Sequence, residues 1–223
     1  MSRLVEILSG IRTVDLSRAD GLDLEAYLLP CAEGIVLVDT GFMPQDVEKI
    51  GAELKSIKKG WRDVNLILIT HGHGDHIDNL KKVKELTGAK VMAGEGDVTE
   101  IEAKTGVKID RGLKHCDHLD VCGGIEAIHV PGHSMGNLSY YLRRQRAIIA
   151  GDTIFGDDKG NLSAPPEKYC LDVKIAENEI KRLLFYDFDA LLLSHGKNLL
   201  KNAKSRVRML CEEIDARSRQ ADR

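Results

Sequence analysis

Residues 64–80 read VNLILITHGHGDHIDNL, and they decide the fold. Val64–Ile69 is an unbroken apolar run of strand length, the pattern of a strand buried on both faces. It stops where His71 begins, so His71, His73, Asp75 and His76 sit at a strand's carboxyl end. Two histidines at alternate positions of an extended loop turn to one side and meet one cation, while Asp75 and His76 fall within reach of a second. Gly72 and Gly74 let the backbone bend closely around such ions. A polar surface loop that happens to be rich in histidine is the alternative. Four ligand-type residues in six, directly after a buried strand, serve no packing purpose.

Four residues do not complete two metal shells, and further ligand types recur at other strand ends. His133 lies in HVPGHSMGN after Ile125–Val130, Asp152 in IIAGDTIFG after Ile148–Ala150, and His195 in LLLSHGKN after Leu191–Leu193. Each alone reads equally well as a turn residue. Together with the cluster they point to one shared site.

Working outward, Ala26–Leu29 and Ile35–Val38 read as a hairpin turning at Glu33-Gly34, preceded by a strand at Leu4–Leu8. Pro44–Ile57 has helical spacing with proline in its first turn. Asn79–Thr87 and Asp97–Lys104 read as helices stopped by Gly88 and Gly106, with a strand at Ala89–Ala93 between them. Then come strand-like runs at His118–Val121, Ile125–Val130, Leu138–Leu142 and Ala147–Ala150. A helix at Asp172–Phe185, a strand at Ala190–Leu193 and a last helix at Asn202–Arg217 follow. Strands then helices, twice over, predict an α/β fold: a four-layer αβ/βα sandwich of two mixed β-sheets packed face to face with helices outside. No Pro/Gly/Ser-rich linker divides the chain, so residues 1–223 are expected to form a single domain, with two tightly fused halves of one repeat as the alternative.

The bulk composition fits. The 223 residues carry a net charge of −3 with acidic and basic residues interspersed, which excludes the basic stripe of a nucleic-acid binder and points to a small-molecule substrate. No apolar run reaches the ~20 residues that span a bilayer and no leader pattern opens the sequence, so a cytoplasmic protein without membrane contact is expected. Five irregularly spaced cysteines, Cys31, Cys116, Cys122, Cys170 and Cys211, argue against a disulfide framework and fit a reducing compartment. Homo-oligomerisation is left open.

With these residues in hand, the chain resembles the metallo-β-lactamase-fold hydrolases, from VDTG at 38–41 to SHG at 194–196, with five motifs in family order. The resemblance implies His71, His73 and His133 on a first metal, Asp75, His76 and His195 on a second, and Asp152 bridging both. It makes Asp39 a structural or supporting carboxylate, although Asp39 also suits the start of the VDTG turn. Neutral imidazoles plus carboxylates suit two divalent ions, zinc first, with iron or manganese accommodated. Such a pair would hold a bridging hydroxide as nucleophile, and Asp75 is the candidate for relaying its proton to the leaving group.

The expected reaction is hydrolysis of an ester, lactone or thioester, since the resemblance includes glyoxalase II-type thioesterases and lactonases. The chain ends one helix after His195, without the helical region that glyoxalase II uses for glutathione, so glutathione specificity is not expected. Absence of a leader argues against a β-lactamase, and phosphodiester cleavage lacks a nucleic-acid clamp. An iron-dependent redox protein on the same ligands is the competing class, and a metal binder without catalysis a third.

Lesser candidates complete the reading. Asp78 stands where this family commonly has a small residue and suits the N-cap of the next helix better than a substrate contact. Tyr140 and Tyr141 are candidates for facing the metals, with sheet packing the stronger expectation, and Lys197 for an anionic substrate group. His129 is expected on a strand near the site, supporting Asp152 or a ligand. His115, Cys116, His118 and Cys122 lack the spacing of a zinc knuckle. Residues 155–172 form a long irregular connection after Asp152 which, with the loop at Phe42–Met43, is expected to shape substrate preference.

Overall fold

The computed structural model describes residues 6–19, 21 and 23–221. The start of the strand expected at Leu4–Leu8 therefore lies outside the described residues; strand β1 spans Glu6–Leu8. It is followed by β2 (Ile11–Asp15), β3 (Glu25–Cys31), β4 (Gly34–Val38), α1 (Pro44–Ser56) and β5 (Val64–Leu68). Then come α2 (Gly74–Ile77), α3 (Leu80–Thr87), β6 (Lys90–Gly94), α4 (Val98–Thr105) and β7 (Arg111–Leu113). The second half has β8 (His118–Leu119), β9 (Ile125–His129), β10 (Leu138–Leu142), β11 (Ala147–Ile149), β12 (Phe155–Gly156), β13 (Leu162–Ser163), α5 (Val173–Glu179), β14 (Ala190–Leu192) and α6 (Ala203–Ala221).

β1 to β7 form one sheet in chain order, antiparallel up to β4 and parallel from β4 to β7. The other sheet has the order β14-β11-β10-β9-β8, with β11 and β14 parallel and the rest antiparallel. Side-chain alternation explains why the strands read as continuous apolar runs. Val36, Val38, Leu66 and Leu68 point between the sheets, against Leu138, Tyr140, Leu142 and Ile149. Their neighbours Ile35, Leu37, Ile67 and Ile69 point the other way, onto Ile50, Leu54, Leu80, Val83 and Ile101 of α1, α3 and α4. In the second sheet Ile128, Ile148 and Leu191 face Val207, Leu210 and Ile214 of α6. Three apolar layers between four layers of structure make the expected αβ/βα sandwich.

Gly34 turns the β3–β4 hairpin at φ 126°, and Gly88 and Gly106 end α3 and α4 at φ 70° and 68°, a region that favours glycine. Three expectations need correction. The helix expected at Asp172–Phe185 is α5 followed by a tighter turn over Ile180–Phe185. The 155–172 connection is not irregular throughout, because β12 and β13 pair within it. Cys31 and Cys122 are joined in a disulfide with Cα atoms 5.1 Å apart, so cysteine usage gives no argument for a reducing compartment. Among the described residues no helix is long and apolar enough to cross a membrane.

Candidate metal centre

The seven expected ligands converge from both sheets. His71 follows β5, and His73, Asp75 and His76 sit in and around the single turn of α2. His133 comes from the loop between β9 and β10, Asp152 from the turn after β11, and His195 from the loop after β14. His71, His73 and His133 offer ring nitrogens within 4.8 Å of one another, and so do the donor atoms of Asp75, His76 and His195. Asp152 lies between the groups. Its Oδ2 is 3.3 Å from His133 Nε2 and 3.9 Å from His71 Nε2, while its Oδ1 is 3.2 Å from His76 Nε2 and 3.4 Å from His195 Nε2. His195 Nε2 and His76 Nε2 lie 3.4 Å and 3.6 Å from Asp75 Oδ2.

Behind this shell, the far nitrogens of four histidines have partners, which leaves Nε2 of each aimed inward. His76 Nδ1 donates to Asp39 Oδ2 at 2.8 Å and His195 Nδ1 to the Asp23 carbonyl at 2.5 Å. His71 Nδ1 lies 3.1 Å from the Thr70 hydroxyl, which itself donates to Asp39 Oδ2 at 2.8 Å. His133 Nδ1 has the Cys170 thiol at 3.8 Å. Asp39 is thus more than the start of a turn. With φ at 62°, it aims its carboxylate under Thr70 and His76, and Oδ1 accepts the Thr70 N–H at 2.8 Å.

The electrostatics are those of a cation site. Burial would raise the Asp152 carboxyl, but the His76 and His71 rings, with His133 and His195 close beside it, outweigh burial and hold it well below the usual carboxylate range. Burial would lower His195, yet the adjacent Asp152 and Asp75 carboxylates carry it up to about 10. His76, buried but facing Asp152 and Asp39, is likewise raised, whereas burial and its imidazole neighbours hold His71 well below its ordinary value. Among the described residues, His76 Nε2 and Asp152 Oδ1 are buried without a hydrogen-bond partner. Orphaned polar atoms converging at this depth are costly unless something binds them. An imidazole nitrogen and a carboxylate oxygen facing each other at this depth are the donor types that a metal ion takes, so the residues present fit the expected group.

A cavity of about 840 Å³ opens over the centre. Its polar floor includes His73, Asp75, His133, Asp152 and His195; Phe42, Met135, Phe155, Tyr169 and Leu171 supply apolar walls. The two loops expected to shape preference do line it, through Phe42 and residues 168–171. Phe155 stacks on the His195 ring, with centroids 4.8 Å apart and planes 8° apart. Arg18 lies over Phe42 at 5.3 Å and Lys168 over Tyr169 at 4.5 Å, placing positive charge on the rim.

Other candidates fall elsewhere. Tyr140 is buried between the sheets and donates to the Ile69 carbonyl at 2.7 Å; Tyr141 donates to the Asp187 carbonyl on the outer face. Neither faces the centre. Lys197 is exposed and does not line the cavity. His129 bonds the Met135 carbonyl at 2.8 Å through Nε2, steadying the His133 loop rather than touching Asp152 or a ligand. Asp78 makes no capping bond, since Asn79 precedes α3, and it lines the cavity instead. Among the described residues, no group of metal-type ligands includes His115, Cys116 or His118.

Sequence reasoning missed Asp97, which it took only as the start of a helix, and the cavity residues Arg18, Glu100, Ser134 and Met135. The glycine-rich GEGD at 94–97 was the available signal for Asp97.

The family model described as the metallo-beta-lactamase superfamily matches residues 26–195. A hydroxyacylglutathione hydrolase of Methylobacterium nodulans is 30% identical over 165 residues, 71% of this chain and 58% of that protein. One of Pseudomonas aeruginosa is 34% identical over 121 residues, 53% of this chain and 43% of its own length. The chain thus spans little more than half, or less, of these relatives. Among solved structures, a metallo-β-lactamase family protein from Thermus thermophilus superposes with a TM-score of 0.73 at 20% identity, covering 94% of this chain and 81% of that one. A metallo-β-lactamase from Legionella gormanii gives 0.72 at 19%, covering 97% and 95%. These two likenesses establish the shared fold.

Proposed function

The chain belongs to the metallo-β-lactamase superfamily, and from that membership and the geometry of its centre we propose that it is a metal-dependent hydrolase that holds two divalent ions and cleaves a small-molecule ester, lactone or thioester. The observation that carries this reading is the Asp152 carboxylate, buried, with one oxygen turned to each histidine group and Oδ1 making no hydrogen bond to the protein. His71, His73 and His133 would hold the first ion, Asp75, His76 and His195 the second, with Asp152 shared. Imidazole and carboxylate donors favour zinc and also accommodate iron or manganese. Such ions, when bound, lower the pKa of water toward neutrality and polarise a carbonyl.

The chain's own residues do the rest. Asp75 is the ligand carboxylate with the most access to the cavity, its side chain 28% exposed against 5% for Asp152. It is the group that accepts a proton from water and passes it toward the leaving oxygen or sulfur. Burial of Asp152 and the imidazoles keeps water from screening these charges. Phe155 closes the His195 side. Phe42, Met135, Tyr169 and Leu171 receive an apolar part of the substrate, so an acyl or leaving group with hydrocarbon bulk fits better than a small polar one. The hydroxyacylglutathione hydrolases named above are consistent with thioester chemistry, but their names do not assign this chain a substrate.

The test is a panel of activated esters, thioesters, lactones and phosphodiesters, run with metal content measured on protein purified without chelator or added metal. Two zinc ions per chain, turnover of an ester, thioester or lactone, and loss of that turnover in His71→Ala and Asp152→Ala are expected. Iron with redox activity, turnover confined to phosphodiesters, full occupancy without any turnover, or variants that keep most activity would each overturn the proposal.

A further inference from the structure

Asp97 stands at the N-cap of α4, where a carboxylate ordinarily accepts from the first backbone N–H groups of its own helix. It does not do so. Buried to 1% exposure, it directs its oxygens across to two loops. Oδ2 accepts the Gly72 N–H at 3.0 Å and the Ser134 hydroxyl at 2.6 Å, and Oδ1 accepts the Gly136 N–H at 2.6 Å. Gly72 separates His71 from His73, and Ser134 follows His133, so the residues held are the chain neighbours of all three histidines of the first group. α4 grips the same Gly72 peptide from its other side, where Lys104 Nζ donates to the Gly72 carbonyl at 2.9 Å.

The fit around the carboxylate admits no added atoms. A Cβ on Gly94 would collide with the Gly136 carbonyl, one on Gly96 would come within 2.7 Å of the Met135 carbonyl carbon, and one on Gly136 within 2.8 Å of Asp97 Cγ. Three glycines thus bring the 94–97 turn and the 134–136 loop into backbone contact, and the carboxylate bonds them where they meet. The second group has no such link to Asp97: His76 rests on Asp39 and His195 on the Asp23 carbonyl.

We propose that Asp97 is a positioning residue for the first metal site, its carboxylate fixing the His71–His73 loop and the His133 loop in the spacing that one ion requires. This rests on the metal-centre reading above. Second-layer partners of this kind typically change metal affinity ten- to a hundredfold when lost. Asp97→Asn keeps the volume but replaces one acceptor oxygen with an NH₂ that faces a donor and cannot accept from it.

The experiment titrates zinc into metal-free protein and follows the histidine ring nitrogens by two-dimensional ¹H–¹⁵N NMR, which reads His71, His73 and His133 separately from His76 and His195. In the wild type both sets should respond. In Asp97→Asn the first set should need about ten- to a hundredfold more zinc while the second titrates as in the wild type. Ser134→Ala, which deletes one bond and leaves the carboxylate, should show a smaller loss confined to the same set; if Asp97→Asn does not fold, this variant decides. Unchanged affinity in both sets, or equal weakening of both, would overturn the role given to Asp97. A wild type whose histidines do not respond to zinc would instead overturn the metal-centre reading itself.

Discussion

Replacing Asp39 with asparagine isolates the role of a single buried charge. The side chain is 3% exposed and accepts three hydrogen bonds at 2.8 Å, from the Thr70 amide, the Thr70 hydroxyl and His76 Nδ1. Asparagine tolerates the left-handed backbone at φ 62°, so strain is not the variable. Its oxygen can still take the Thr70 amide, and the Thr70 hydroxyl can rotate to accept from the new NH₂. The His76 bond has no such remedy, because an amide donor would face a ring N–H. A hydrogen bond to a charged group contributes about 1.5–3 kcal/mol, and about 1.4 kcal/mol is tenfold in binding, so zinc at the His76 site should weaken roughly ten- to a hundredfold. The His71 site, reached only through Thr70, should weaken less. Competition against a chromophoric chelator, starting from metal-free protein, resolves the two affinities. If both stay within about twofold of the wild type, Asp39 is a turn residue only, and orientation of His76 by its carboxylate is refuted.

Two further outcomes separate packing from chemistry. Tyr140→Phe removes the hydroxyl that donates to the buried Ile69 carbonyl; it should cost about 1–3 kcal/mol in urea unfolding with turnover unchanged, and a selective loss of turnover would return Tyr140 to the site. Burial, Asp152 and nearby acidic groups raise the Cys170 thiol from about 9 to about 11, which favours its neutral form. Since the thiolate is the nucleophile, alkylation at pH 8 should run about a hundredfold slower than for a thiol titrating at 9, and rise until pH passes 11. Mass-spectrometric rates matching those of the exposed Cys116 at pH 8 would contradict this.

Much of the centre was legible because its ligands directly follow apolar strands, and a donor at a strand's end can only point off the sheet edge. The same logic fails within a strand. Tyr140 and Tyr141 alternate faces, and nothing local says that one face meets the other sheet and the other a helical layer. Asp78 and Asp97 both read as helix starts, since an acid beside a helical pattern is ordinarily a cap; only the tertiary fold shows that Asp78 faces a cavity and Asp97 two foreign loops. β7 escaped because Arg111–Leu113 is three residues long and held by pairing to β6 rather than by its own pattern. The Cys31–Cys122 pair, 91 residues apart, had no spacing by which to be found. The layered architecture was readable because continuous apolar strands require cover on both sides.

His71, His73, Asp75 and His76 belong to one sheet's loops, and His133, Asp152 and His195 to the other's. Any ion held by both sets is therefore a rivet across the sandwich. Its binding energy adds to resistance against the two halves parting, by an amount that grows with the logarithm of free metal over its dissociation constant. Chelation should then loosen the seam before it melts either sheet, and amides of β5 and β10, which meet across it, should lose hydrogen-exchange protection together.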